Sequence, residues 1–180
     1  MRIIAGQFRG RKLLGPADQA TRPITDRVKQ RIFDILSPRL DDAATLDVFA
    51  GTGSFGLEAL SRGAKSCVFF EKHPPAVQRL RKNLATLGVR EQSRVVDTDL
   101  FKFDFSTLAP VDVAFFDPPY PMLTGQADAL RRVLSSIANR LASDGVISFR
   151  YDAGVTFESG LEVVDEREFG SMRLVLLRAG

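Results

Sequence analysis

Cysteine and histidine each occur once in this chain, as Cys67 and His73. A single cysteine excludes an intramolecular disulfide, and one of each leaves no His/Cys set to hold a metal. Cys67 falls in an apolar strand pattern and reads as a core residue rather than a nucleophile. His73 precedes Pro74-Pro75 at a helix entrance and reads as a loop residue rather than a general base. The chemistry is expected to be metal-free. Long apolar runs are also missing. The longest, at 113–116 and 174–177, have strand length, well short of the roughly 18–20 residues that cross a bilayer. No apolar signal region follows Met1-Arg2-Ile3-Ile4-Ala5-Gly6, so the expectation is a cytoplasmic protein without a membrane span. Nothing repeats at a fixed period and no stretch is low in complexity.

What is present suits one soluble domain. The chain has 180 residues, 44% of them hydrophobic and 26% charged, the usual balance for a globular fold with a sizeable core. The net charge of +3 conceals an asymmetry. Residues 1–40 hold nine Lys/Arg against three Asp, giving +6, while residues 41–180 carry 16 basic and 19 acidic side chains, giving −3. A basic N-terminal extension beside a mildly acidic remainder suits a polyanionic partner, and equally a solvated basic face.

Residues 2–14 read as a hairpin, and 15–23 as a loop rich in turn formers. A helix starts after Thr25, a suitable N-cap, with Val28, Ile32, Ile35 and Leu36 as its apolar stripe and Pro38 as its stop. Strands and helices then alternate. Strands are expected at 45–50, 66–70, 94–96, 111–116 and 146–151, with helices after Gly56, at 74–87 and at 127–141. Asp144-Gly145 is expected to turn the chain into the fifth strand. Strands at 161–169 and 172–178 are separated only by Gly170-Ser171, which leaves no room for a crossover and requires an antiparallel hairpin. The expected fold is α/β: a mostly parallel, Rossmann-like, seven-stranded sheet with an antiparallel C-terminal hairpin, preceded by an N-terminal β-hairpin and helix. Residues 1–180 are read as a single domain, 1–40 being the extension and 41–180 the core.

The segment Asp47-Val48-Phe49-Ala50-Gly51-Thr52-Gly53-Ser54-Phe55-Gly56 runs from a strand into a helix. Gly51 and Gly53 allow a tight turn and close approach of a ligand, and Gly56 allows close helix packing. Phe49 and Thr52 stand in the same turn and join the cofactor-binding candidates. Glu71, at the end of the second strand, is placed to accept from two ribose hydroxyls, a need shared by NAD and S-adenosylmethionine (SAM). Asp47 separates the two. A carboxylate beside the turn repels a pyrophosphate but can anchor the cationic methionine end of SAM. Asp99, after the third strand, can accept from the adenine amino group or simply cap a loop.

The fourth strand closes in Asp117-Pro118-Pro119-Tyr120, at the carboxyl edge where open α/β sheets bind ligands. Two prolines make a stiff loop with two fewer backbone donors, so it presents acceptors. An exocyclic base amine is a poor nucleophile because its lone pair is delocalised into the ring. Acceptance of its two N–H bonds by Asp117 and the Pro118 carbonyl lets the nitrogen pyramidalise toward a methyl-sulfonium carbon. Pro119 stiffens the loop, and Tyr120 offers a face on which an extruded base can stack.

These residues together resemble the RsmD family of bacterial small-subunit rRNA guanine-N2 methyltransferases, over nearly the whole chain. The opening Arg2-Ile3-Ile4-Ala5-Gly6-Gln7-Phe8-Arg9-Gly10-Arg11-Lys12-Leu13 is similar to that family's hairpin, and Arg22-Pro23-Ile24-Thr25-Asp26-Arg27-Val28-Lys29 to its second signature. The resemblance implies a class I SAM-dependent methyltransferase fold, SAM as donor, and a guanine N2 of 16S rRNA in an assembled or assembling small ribosomal subunit as acceptor. On that basis Arg9, Arg11, Lys12, Arg22 and Arg27 are candidate RNA contacts, and a monomer is expected. A DNA adenine-N6 methyltransferase shares Asp-Pro-Pro-Tyr but needs a recognition segment, and only residues 121–126 separate Tyr120 from the next helix. A non-catalytic assembly factor would not need Asp47, Glu71 and Asp117 intact. A nicotinamide oxidoreductase would need a hydride-transfer partner that the sequence lacks.

Overall fold

The computed structural model describes residues 1–16 and 24–180. Arg22, Pro23 and most of the loop expected at 15–23 lie outside the described residues. The strands are β1 (Ala44–Asp47), β2 (Ser66–Phe70), β3 (Ser93–Val96), β4 (Val111–Phe116), β5 (Leu141–Asp152), β6 (Glu162–Phe169) and β7 (Met172–Arg178). The helices are α1 (Asp26–Leu36), α2 (Ser54–Ser61), α3 (Pro74–Leu87), α4 (Tyr120–Gly125) and α5 (Ala127–Ala138). One seven-stranded sheet runs β3-β2-β1-β4-β5-β7-β6. β1 to β5 run parallel to one another, and β7 is antiparallel to both β5 and β6. This is the expected α/β architecture with its antiparallel terminal hairpin.

The order follows from burial on both sheet faces. Along β4, Val113 and Phe115 join one core with Ile32, Phe33, Leu57 and Leu80, whereas Ala114 and Phe116 join the other with Leu130, Leu134 and Ile137. Alternating side chains thus feed two cores, which requires the near-continuous apolar run seen in a central parallel strand. β6, at the edge, is mostly exposed and charged, with Glu162 held by Arg178 and both Glu166 and Glu168 held by Arg173. Such an edge resists pairing with other chains.

Several expected boundaries move. β1 ends at Asp47 rather than at 50, because Val48 and Phe49 already lie in a turn ahead of the glycines. The helix expected at 127–141 stops at Ala138, and Leu141 becomes the first residue of β5. Asp144-Gly145 lies inside β5 rather than forming a turn before it. A Cβ on Gly145 would stand 2.8 Å from the Val111 carbonyl oxygen, so the residue permits close approach to β4 where the register shifts. Residues 121–126, expected as a loop, mostly belong to α4, whose first turn accepts Pro121 without losing a helical hydrogen bond. Phe33 is fully buried although it stands outside the expected α1 stripe.

The N-terminal hairpin is short for a physical reason. Only Arg2 and Lys12 pair as a bridge, because the donors that would extend the ladder are taken by α2. Ile4 N–H and Ala5 N–H donate to the two Glu58 oxygens (2.8 and 2.9 Å), Gln7 N–H to the Ser61 carbonyl (2.8 Å), and Phe8 N–H to Ser61 Oγ (3.0 Å). Gly6 sits at φ +82°, and any Cβ there would fall 1.8 Å from the Ser61 carbonyl oxygen.

Glu58 is fully buried and also receives Lys29 Nζ at 3.0 Å and Arg62 Nε at 2.9 Å. Burial pushes the Lys29 pKa down, and the Glu58 carboxylate works against that shift. Removing one partner of such a pair strands the other. Glu58→Gln is therefore expected to lower unfolding free energy by about 3–5 kcal/mol, read from urea midpoints, with loss of amide-exchange protection at Ile4 and Ala5. Unchanged stability would mean that the hairpin docks through its apolar contacts alone.

Candidate active site

Three parallel strands deliver three carboxylates to one edge. Asp47 ends β1, Glu71 follows β2 and Asp117 follows β4, with Asp47 in register with Phe69 on one side and Phe115 on the other. The turn between β1 and α2 lies among them. Gly51 has φ +54°, and nothing lies within 4 Å of where its Cβ would be, so the backbone there is open to a ligand. Gly53 (φ +90°) and Gly56 have a packing role instead. A Cβ on Gly53 would stand 2.6 Å from Leu80, and one on Gly56 would stand 2.3 Å from the Phe69 ring and 2.6 Å from the buried Cys67 sulfur.

Glu71 braces this turn, accepting Gly51 N–H at 2.8 Å on one oxygen and His73 N–H at 2.7 Å on the other. Asp47 accepts Gly56 N–H at 2.8 Å and is almost wholly buried. Burial pushes its pKa up to about 7; the Gly56 N–H opposes this, and the charges of Asp117 and Glu71 add to it. Thr52 is turned away, buried with its hydroxyl 3.8 Å from the Met1 sulfur. Phe49 is half-buried and packs edge-on against Phe116, with centroids 5.2 Å apart. Asp99 lies after the outermost parallel strand and caps a short 3₁₀ turn, accepting Phe101 N–H at 3.2 Å. The loop-capping alternative therefore holds for one of its oxygens.

In the Asp-Pro-Pro-Tyr loop, Asp117 is partly exposed, Pro118 buried, and Pro119 and Tyr120 exposed. The Pro119 carbonyl accepts Met122 N–H at 2.9 Å, whereas that of Pro118 accepts no hydrogen bond among the described residues. Sequence reasoning missed the cation behind this loop. Phe116 and Phe149 are register partners, so the next residues, Asp117 and Arg150, are neighbours, and Arg150 Nη2 donates to Asp117 Oδ2. Arg150 Nη1 lies 3.2 Å from the Met172 sulfur, and its Nε is buried without a partner. Burial pushes the Asp117 pKa up and Arg150 pulls it part of the way back. One signal was available: a lone arginine in a strand otherwise buried on both faces needs a counter-charge.

The candidate RNA residues divide between two clefts. Arg9 lines one beside Arg2, Asp26 and Gln30, and Lys12 lines another against α3. Arg11 and Arg27 are exposed, and Arg22 lies outside the described residues.

This sheet order, with carboxylates after β1, β2 and β4, defines the SAM-dependent methyltransferase type of α/β fold. The family described as "Conserved hypothetical protein 95" matches residues 1–178, and the chain belongs to it, in keeping with the resemblance to the RsmD family. The chain is 45% identical over 120 residues to the ribosomal RNA small subunit methyltransferase D of Escherichia coli (strain K12), a match covering 67% of this chain and 60% of that protein's length. It is 35% identical over 161 residues to the putative rRNA methyltransferase YlbH of Bacillus subtilis (strain 168), covering 86% and 84%. The solved structure of the putative methyltransferase yhhF from Escherichia coli superposes with a TM-score of 0.82 at 34% identity, covering 99% of this chain and 98% of that one.

The raised Asp47 pKa gives a stability signature in the ligand-free protein. Between about pH 4, where an unfolded Asp titrates, and about 7, the folded state keeps a proton that the unfolded chain releases. Stability is therefore expected to fall as pH rises through this window, by up to about 1.4 kcal/mol per unit. Asp47→Asn should flatten the slope measured by chemical denaturation. A slope unchanged in that variant would place the titrating group elsewhere.

Proposed function

We propose that the chain is a SAM-dependent methyltransferase acting on the exocyclic N2 of a guanine in 16S rRNA, within an assembled or assembling small ribosomal subunit. The observation that carries the reading is the acceptor pair at the catalytic loop. Asp117 has Oδ2 held by Arg150, leaving Oδ1 and the unpaired Pro118 carbonyl as two acceptors on one stiff turn. Two acceptors suit a group with two N–H bonds. They orient the amine, free its lone pair and stabilise the positive charge that grows on nitrogen. Asp117 need not be a strong base, since the extra proton can pass to water after transfer. Tyr120, 46% exposed beside the loop, supplies a stacking face for an extruded base.

The residues around the turn suit SAM as well. Open backbone at Gly51 permits close approach, Asp47 provides a buried anion for a cationic ligand, and Glu71 and Asp99 keep lone pairs for ribose and adenine donors. When bound, SAM supplies a methyl group on a sulfonium, which departs as a neutral thioether. The small-subunit acceptor is supported by the name of the E. coli relative, and guanine N2 by the resemblance of the two N-terminal signatures. Arg9, Arg11, Lys12, Arg22 and Arg27 would meet the RNA, and a cytoplasmic monomer suffices for one protruding base.

Incubation with methyl-labelled SAM and unmodified small subunits, naked 16S rRNA, large subunits or duplex DNA, followed by nucleoside analysis, tests the reading. N2-methylguanosine from small subunits is expected; N6-methyladenine from DNA, or no label despite SAM binding, would overturn it. Asp117→Ala should lower turnover by orders of magnitude with SAM affinity near wild type, and calorimetric loss of SAM binding would remove its assigned role. Arg150→Met should move the acidic limb of the kcat profile to higher pH, because the cation that lowers the Asp117 pKa is gone. Arg150→Lys should restore part of the shift; an unmoved limb would leave Arg150 a purely structural role.

A further inference from the structure

The basic character of the chain does not stop at the N-terminal extension. Residues 79–94 carry Arg79, Arg81, Lys82, Arg90 and Arg94 against Glu91 alone, on α3, the segment after it and the start of β3. The fold lays the second arm of the N-terminal hairpin along this stretch and forms a cleft of about 580 Å³, lined by Lys12, Arg81, Lys82 and Arg90 together with Asn83 and Thr86. Among the described residues no carboxylate lines it. Arg81 reaches out to Asp97 at 2.9 Å, whereas Lys12, Lys82 and Arg90 are exposed and have no ion pair among the described residues. The other cleft beside the hairpin contrasts with it: there Arg2 is neutralised by Asp26 at 2.7 Å.

We infer that this cleft seats the phosphodiester backbone of the RNA substrate at a distance from the modified base. Unpaired cations from two parts of the chain repel one another, and a polyanion relieves that repulsion while releasing its own counterions. The walls offer charge and hydrogen-bond donors and, among the described residues, no aromatic face, so they suit phosphates, which position a substrate, rather than bases, which specify it. The cleft also connects to the site. Buried Asn83 accepts Leu14 N–H at 2.8 Å and donates to the Leu14 carbonyl at 3.0 Å and to the Thr52 carbonyl, in the cofactor turn, at 2.9 Å. A strand held against Lys12, Lys82 and Arg90 therefore lies on the outer side of the helix that packs behind that turn.

This inference rests on the RNA acceptor proposed above and adds a surface outside the catalytic edge. Its test measures equilibrium binding of unmodified 16S rRNA across a salt series for the wild type and Lys82→Gln/Arg90→Gln. Arg132→Gln, an exposed residue on α5, serves as a control from the opposite sheet face. Each lost phosphate contact should reduce the slope of log affinity against log salt by about 0.7–0.9, so the double variant should lose about 1.4–1.8 and the control nothing. SAM affinity and thermal midpoint should stay near wild type, since both substituted side chains are exposed. Lys82→Glu/Arg90→Glu should weaken binding further. A wild-type slope in both double variants, with RNA methylation intact in the wild type, overturns the cleft and leaves the acceptor standing. Loss of methylation on assembled subunits with the naked-RNA slope unchanged would assign the cleft to an acidic protein face and overturn the phosphate reading. A wild type that neither binds nor methylates RNA overturns the acceptor reading first, and the cleft with it.

Discussion

A carboxylate with no exposed surface cannot be left without partners, and Glu58 gathers its partners from three parts of the chain. Lys29 comes from α1, Arg62 from the end of its own helix, and the Ile4 and Ala5 amides from the N-terminal segment. The desolvation of that carboxylate costs more than any one of these contacts returns, so they form together or not at all. Apolar burial alone would let the N-terminal segment slide along α2. Directed bonds to Glu58 and Ser61 fix its register, and with it the positions of Ile3 and Leu13 in the core. The same register carries Leu14 to Asn83, whose amide also holds the Thr52 carbonyl. A charge buried in α2 thereby connects the basic extension to the turn that would carry the cofactor.

The carboxyl edge is built on the opposite electrostatic principle. Asp47, Glu71 and Asp117 face one another from adjacent parallel strands, and their mutual repulsion is one cause of the raised Asp47 pKa. Glu71 is quieted by two backbone amides and Asp117 by Arg150. Asp47 has the Gly56 amide and the more distant Lys29 charge in its favour and burial against it. An edge arranged this way disfavours an anionic ligand and is stabilised by a cationic one. That preference separates sulfonium and ammonium groups from pyrophosphates on physical grounds, without reference to the glycine pattern that the two ligand types share.

Much of this was legible because the informative residues are local punctuation. Gly88 after a 3.6-period stripe, Thr25 before one, and Gly170-Ser171 between two strands each act within a few residues, and β2, β4, α3 and β7 fall where the pattern puts them. The parts that were not legible depend on partners distant in sequence. β5 begins at Leu141 because Gly145 allows the chain to bulge against the Val111 carbonyl, which no local pattern encodes. The N-terminal ladder is truncated because Glu58 and Ser61, more than fifty residues away, compete for its donors. The candidate site shows the same division. Asp47, Glu71 and Asp117 stand at strand ends and could be placed by counting, whereas Arg150, although its need for a counter-charge shows in the sequence, finds its partner only when β5 pairs with β4.

Arg150 also bears on how one short loop can serve as more than a stiff acceptor. A carboxylate free at both oxygens can rotate about its last bond, and burial raises its pKa, which works against its role as an acceptor. A guanidinium on one oxygen opposes both the rotation and the protonation, leaving the other oxygen free to accept. The cost is a buried cation, met by the Asp117 charge and by the Phe55 ring, whose centroid lies 5.9 Å from the Arg150 guanidinium carbon. Phe55 belongs to α2, the helix that opens from the cofactor turn and carries Glu58. The Asp117–Arg150 pair and the docking of the N-terminal segment thus both rest on one eight-residue helix, through Phe55 in its first turn and through Glu58 and Ser61 further along. A displacement of α2 would disturb both at once, which makes that helix the mechanical link between the docked N-terminal segment and the Asp117 edge.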